Sequence, residues 1–193
     1  MLATATNSHG MASIKLGNLA KPFGAIVTRE AAEILAKAAP GTLSVSRSMV
    51  ALQSDEARIV AKNIDGTFPD WRRVMPSNRP RNSITLRRAA LIDAVALSKL
   101  TRDAMKLRPM TLRANAAVLT VSAIGLTGEQ IDSEVEIAAE VGDAMDVGIN
   151  GDLFEPMLKT ASEEEVTISW DGPNCALLTE SGPLRALLMP MRI

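Results

Sequence analysis

Residue types able to do covalent chemistry are scarce in this chain. His9 is its only histidine and Cys175 its only cysteine. A Cys–His dyad is the nucleophilic pair this composition permits, but one residue of each offers no supporting pattern. A hairpin-tip histidine and a strand cysteine behaving as a small hydrophobe account for them more simply. No ligand spacing suits a metal, no glycine-rich loop follows a strand to cradle phosphate, and no cofactor is implied. Glu163-Glu164-Glu165 is an acidic run between a helical and a strand pattern, which reads as a solvated turn. The residues do not read as those of an enzyme.

One stretch is more distinctive than any catalytic pattern. Asp65 to Pro76 reads Asp-Gly-Thr-Phe-Pro-Asp-Trp-Arg-Arg-Val-Met-Pro. Asp65-Gly66 is a turn signal. Pro69 and Pro76 fix the backbone and deny it ladder hydrogen bonds. Between them stand Phe68, Trp71 and the cations Arg72 and Arg73. Such a segment suits neither a central strand nor a helix interior, and it is too apolar for a free linker. It is expected to be an ordered connector across a surface, with an ordinary packed loop as the alternative.

Composition bounds what these segments belong to. The 193 residues are 47% hydrophobic but only 3% aromatic, so aliphatic side chains and ten methionines must fill the interior. The formal net charge of −1 argues against tight gripping of phosphates, which needs a positive excess. It leaves encirclement of DNA open, since that needs topology more than affinity. A single cysteine excludes an intrachain disulfide and agrees with a reducing cytoplasm. Apolar runs fall far short of the roughly 18 residues of a membrane span. The start, Met1 to Thr6, lacks the basic region of a secretory signal.

The elements that must position these groups repeat. Ala3–Thr6 and Met11–Leu16 flank Asn7-Ser8-His9-Gly10 as a hairpin, which ends at Lys21-Pro22. Then a strand–helix–three-strand pattern recurs about every 60 residues, in about three copies. The first has a strand at 25–28, a helix at 29–38 capped by Thr28, and strands at 43–45, 49–53 and 58–64. The second has a strand at 83–86, a helix at 88–102, and strands at 110–114, 118–124 and 134–138. The third has a strand at 145–149, a helix at 152–161, and strands at 166–170, 175–179 and 184–189. Asp152-x-x-Glu155 reads as a capping box, with Pro156 in the first helical turn or kinking the helix. Each unit buries one sheet face under its helix and leaves sheet edges open, so units should pair. The second and third can pair within the chain; the first has no partner there.

The connector resembles the segment between the second and third domains of the bacterial sliding clamp, the beta subunit of DNA polymerase III. Leu187-Leu188-Met189-Pro190-Met191-Arg192-Ile193 resembles the C-terminal tail of that family. The resemblance covers the whole chain but only the back half of the family. It implies an α+β DNA-clamp fold, built from repeated strand–helix–three-strand units with helices on one face of antiparallel sheets. Residues 1–76 would form a partial clamp domain and 77–193 a complete one.

The resemblance also implies a peptide pocket. Carried over by motif, it comprises Thr6, Ser8, His9, Gly10 and Met11 from the hairpin, and Pro69, Arg73 and Val74 from the connector. Asn150, Leu153, Pro173 and Cys175 come from the third unit, and Leu187, Leu188, Met189, Pro190, Met191 and Arg192 from the tail. The methionines and leucines would give an adaptable apolar lining, unless they are simply core. His9, Arg73 and Arg192 would edge it for an extended peptide with Gln, Leu and Phe anchors. The family's hairpin usually reads Asp-Gly-His-Arg-Leu, so Gly10 removes a cation from the rim, and Leu153 replaces an aromatic wall.

The helices of the family line a DNA hole. Arg88, Lys99 and Arg102 fall within about 60° on a helix, and Lys159 is the one cation of the third helix. These four are the DNA-facing candidates, with ordinary solvated charges as the alternative. Ala96, Leu97 and Ser98 are the candidate subunit interface. The implied partners are DNA polymerase and other clamp-binding proteins through short peptide motifs, a clamp loader, encircled double-stranded DNA, and further copies of the chain in a homo-oligomer. No membrane is implied, and the expected location is the cytoplasm, in a bacterial or phage-like context. A non-encircling module that binds the same peptides is the alternative.

Overall fold

The computed structural model describes residues 2–16, 23–76, 78–101, 108–115 and 117–192. In chain order the elements are β1 (Leu2–Thr6), β2 (Gly10–Lys15), α1 (Arg29–Lys37), β3 (Thr42–Val45), β4 (Met49–Gln53) and β5 (Arg58–Lys62). They continue with β6 (Asn82–Arg87), α2 (Arg88–Leu97), β7 (Pro109–Ala114), β8 (Val118–Ile124) and β9 (Gln130–Val141). Last come β10 (Met145–Asn150), α3 (Gly151–Thr160), β11 (Glu165–Trp170), β12 (Leu177–Ser181) and β13 (Leu184–Leu188). Short 3₁₀ turns span Trp71–Arg73 and Ser98–Leu100.

The chain divides into two compact units, Met1–Gly17 with Arg73–Ile193, and Asn18–Arg72. The N-terminal hairpin goes with the larger unit because β2 pairs antiparallel with β13, Gly10 against Leu188 and Met11 against Leu187. The sequence division had kept the hairpin with the residues up to 76.

All pairings in the larger unit are antiparallel, in the order β1-β2-β13-β12-β11-β6-β9-β8-β7-β10. The second and third copies of the repeat exchange their first strands. β6 lies on β11, the first strand after α3, and β10 lies on β7, the first strand after α2. The long β9 pairs with β8 through its first half and with β6 through its second. The tail after β13 makes the matching contact on the other side, Met191 N donating to Gly148 O of β10 at 2.8 Å. Like units thus complete one another, as their open edges required.

Period-two burial sets which face is inward. Met145, Val147 and Ile149 of β10 and Met110, Leu112 and Ala114 of β7 are buried on one side. Helices α2 and α3 pack on each other and on the sheet, contributing Leu91, Val95, Phe154 and Leu158 to one core with Ile84, Ile168 and Trp170.

Several local expectations changed. The strand expected at 25–28 is absent; that segment is tied instead by Ile64 N to Ile26 O at 2.8 Å and Ile26 N to Asn63 Oδ1 at 2.9 Å. The helix expected over 88–102 ends at Leu97, and residues 102–107 lie outside the described ones. No side chain caps α2; its first N–H, on Arg88, donates to Glu164 O at 2.8 Å, a partner supplied from a distant turn. The cap of α3 is Asn150, whose Oδ1 accepts from Asp152 N at 2.9 Å, and Glu155 is drawn elsewhere. Pro156 stands inside α3 rather than in its first turn. Cys175 precedes β12 instead of opening it.

In the smaller unit Thr28 caps α1, its Oγ1 accepting from Ala31 N at 3.3 Å, and β3-β4-β5 form a separate antiparallel sheet.

Candidate functional site

The hairpin turn is held by its own side chains. Asn7 Oδ1 accepts from Gly10 N at 2.8 Å and from His9 N at 3.2 Å. Thr6 Oγ1 donates to Gly10 O at 3.0 Å. Ser8 adopts the left-handed backbone, φ 71°, a conformation asparagine turns favour and serine tolerates less well. The His9 ring is exposed, its Nδ1 3.3 Å from Asn7 O.

The tail lies along this turn. Met189 N donates to His9 O at 2.9 Å, and Met191 N reaches Gly148 O two residues before Asn150. The tail thereby bridges the hairpin tip and the strand that leads into α3. Gly10 fits against α3 and β13 closely: a β-carbon placed on it would stand 2.6 Å from Met157 Cε and 3.3 Å from Leu187 O. Met157 was missed in the sequence, although it stands four residues after Leu153 on the same helical face. Both are partly buried against the core. Gly148 was missed as well, and only its pairing reveals it.

Burial sorts the expected pocket residues. Met11, Leu187 and Leu188 are buried in the sheet, so they act as core beneath the surface. Met189 and Val74 are exposed, at 51% and 63%, while Pro190 and Met191 are half-buried and Arg192 is exposed. Pro173 and Cys175 are exposed in the turn before β12, where Cys175 N donates to Gly172 O at 3.1 Å. The register pair Leu177–Leu188 puts this turn at the tail's end of the sheet. Arg73 is exposed at the end of its 3₁₀ turn, and Arg72 stacks over Trp71, 4.7 Å from the ring centroid. Pro69, also exposed, belongs to the smaller unit. A separate cleft of about 620 Å³ is lined by Arg87, Glu136, Ala138 and Glu163 to Glu165, mostly charged residues, and by none of the tail.

The DNA-facing candidates have other company. Lys99 Nζ and Lys159 Nζ stand 2.7 and 2.6 Å from Glu155 Oε1. Arg108 Nη1 holds the other oxygen, Oε2, at 2.7 Å. Burial pushes the Glu155 carboxyl up, but the hydrogen bonds from Lys159, Lys99 and Arg108 outweigh it and hold it at about 2. Both lysines are half-exposed, and the single carboxylate they share with Arg108 offsets part of their charge. Arg88 Nε donates to Glu163 O at 2.8 Å. Arg102 lies outside the described residues. At the candidate interface Leu97 is exposed and Ala96 half-buried, whereas Ser98 is buried with its Oγ donating to Val95 O at 2.7 Å. Ser98 therefore presents no side-chain surface; Leu97 and the neighbouring exposed Leu100 do.

No protein-family profile matches the chain. The beta sliding clamp of Rickettsia bellii is 23% identical over 217 residues, spanning 99% of this chain and 56% of that protein. The beta sliding clamp of Pseudomonas putida is 28% identical over 141 residues, spanning 72% of this chain and 38% of that protein. Among solved structures, the Pseudomonas aeruginosa DNA polymerase sliding clamp superposes with a TM-score of 0.85 at 21% identity, over 100% of this chain and 55% of that one. Caulobacter crescentus pol III beta gives 0.82 at 25% identity, over 100% and 54%. The beta subunit from DNA polymerase of Streptococcus pyogenes gives 0.87 at 17%, again over 100% and 54%. The chain spans about half the length of these solved clamps. With an α+β clamp fold, the chain is similar from end to end to about half of the bacterial sliding clamp, the DNA polymerase III beta subunit.

Proposed function

We propose that this chain is a clamp-type DNA replication protein, non-enzymatic, that docks polymerase and other partner proteins by short peptide motifs. The observation that carries the reading is the Met189 N to His9 O hydrogen bond, 2.9 Å, which lays the tail along the hairpin turn. It leaves Met189 exposed directly after buried Leu187 and Leu188, which face opposite sides of β13, Leu187 beside Met11. A flexible thioether at a rigid strand end suits an apolar anchor, and the exposed His9 and Arg192 supply polar edges. Residues 1–76 act as a partial clamp domain and 77–193 as a complete one in this reading. Encirclement of double-stranded DNA, in a homo-oligomer and by the action of a clamp loader, belongs to the same reading. The setting in this reading is the cytoplasm, in a bacterial or phage-like context; no described helix is long and apolar enough to cross a membrane.

A fluorescent peptide carrying Gln-Leu-x-Leu-Phe tests the docking surface. Met189→Ala and Arg73→Ala should each weaken binding about tenfold, the usual cost of truncating one anchor. Unchanged binding in both variants would remove the assignment.

One observation favours the second reading, a module that binds such peptides without encircling DNA. Lys99 and Lys159 are both paired to Glu155, which thins the positive lining. Retention on nicked circular DNA that is lost on linearisation separates encirclement from this alternative.

A further inference from the structure

The space above Gly10 is filled from elsewhere in the fold. Gly10 pairs with Leu188 across β2 and β13, and directly opposed residues share a face of the sheet. Leu188 lies in the core with Phe154 and Leu158 of α3, so the shared face is the one turned to that helix. A β-carbon on Gly10 would stand 3.7 Å from Leu188 Cδ1, 3.3 Å from Leu187 O and only 2.6 Å from Met157 Cε. The Met157 methyl thus occupies the place where any side chain at position 10 would begin. A glycine on the hairpin and a long thioether on the helix form one fitted pair.

That pair stands at the end of the docking surface. Gly10 follows His9, whose carbonyl accepts from Met189 N at 2.9 Å. Leu153 and Met157 are four residues apart on α3, hence on one helical face, and both are only partly buried. With Leu188 beneath, they line an apolar strip that Met157 closes at the hairpin. A thioether is soft enough to seal such an end without a rigid wall.

We propose that Met157 is a specificity-determining residue of the peptide site, its thioether ending the apolar strip at Gly10 and so limiting the size of the aromatic anchor the site accepts. The inference rests on the docking reading and adds the class of peptide: a phenyl anchor fits and an indole does not. Truncating Met157 to alanine removes Cγ, Sδ and Cε, as many heavy atoms as an indole has beyond a phenyl ring. Extra atoms forced into a fitted apolar site are costly, and removing the atoms they meet relieves the cost.

Two fluorescent peptides that differ only in the last anchor, Gln-Leu-x-Leu-Phe and Gln-Leu-x-Leu-Trp, test this on the full chain. The parent should bind the Phe peptide about tenfold more tightly than the Trp peptide. Met157→Ala should bring the two near parity, whereas a Met157 that served only the core would lower both alike. Gly10→Ala puts a methyl where the thioether now ends. Leu188 is fully buried behind it, so Met157 can yield only outward into the strip, and both peptides should lose about tenfold. Adding Met157→Ala to that variant should recover the loss, because nothing is left to displace. A Phe-to-Trp ratio unmoved by Met157→Ala, in a chain that still binds the Phe peptide, overturns the proposal and leaves docking standing. So does a Gly10→Ala loss that the second substitution does not relieve. A parent that binds neither peptide removes the docking reading and this inference with it.

Discussion

Arg108 Nη1 stands 2.7 Å from Glu155 Oε2, and both side chains are buried. The pair joins the entry of β7 to the middle of α3. Arg108 also donates to Gly151 O, while its own carbonyl accepts from Gly151 N at 2.8 Å. Lys99 and Lys159 complete the carboxylate on its other oxygen. Arg108→Met removes the buried cation and leaves the carboxylate to two half-exposed lysines. Breaking such a pair from one side costs about 3 kcal/mol or more, because a buried charge loses its partner. A lower urea midpoint at unchanged slope is the expected reading, and adding Glu155→Met to the same chain should restore part of the loss.

The same carboxyl sets an acid limit. Its folded value is about 2 against an ordinary 4.5. A carboxyl held low stabilises the fold fully above its unfolded value, and that contribution disappears as pH falls from about 4.5 through about 2. The difference corresponds to on the order of 3 kcal/mol. Unfolding free energy measured against pH should fall across that window in the parent. In Glu155→Gln it should be lower near neutrality and fall less steeply across that window, the two curves approaching each other towards pH 2.

Gly151 opens α3, where alanine would ordinarily be favoured by about 1 kcal/mol. Here a β-carbon would meet Met110 Cε and lie 2.7 Å from Arg108 Nε. The methionine end can shift; the arginine is pinned by Glu155 and by Gly151 O. Gly151→Ala should therefore destabilise by about 1–3 kcal/mol, seen as a lower thermal midpoint. A rise would mean that the Arg108 cluster yields more easily than its burial implies.

Local features were legible in the residues themselves. Thr28 before Arg29 marked the start of α1, and the connector and tail motifs carried the clamp resemblance. Strand positions along β4, β7, β8 and β10 followed from alternation, because period-two burial is written in adjacent residues. The peptide-docking reading was legible only in part. The motif named Met11, Leu187 and Leu188 together with Met189, but nothing local tells a buried leucine from an exposed one at the end of a strand. Met157 and Gly148 escaped notice because their neighbours in space, Gly10 and Met191, are far away in the chain.

What the sequence determined alone is most of the elements, their repeat and the shortage of catalytic groups, all consequences of backbone preference and residue type. Only the tertiary structure decided how the repeats combine. The exchange of β6 onto β11 and of β10 onto β7 depends on pairings between residues as far apart as Asn82 and Trp170, which no window of sequence encodes. The fate of Glu155 was decided in the same way: a helix-start carboxylate by its spacing, it became a buried partner of Arg108 because desolvation makes a charge seek the nearest well-placed opposite charge. Turn and cap signals act over a few residues; burial and charge pairing act across the whole fold.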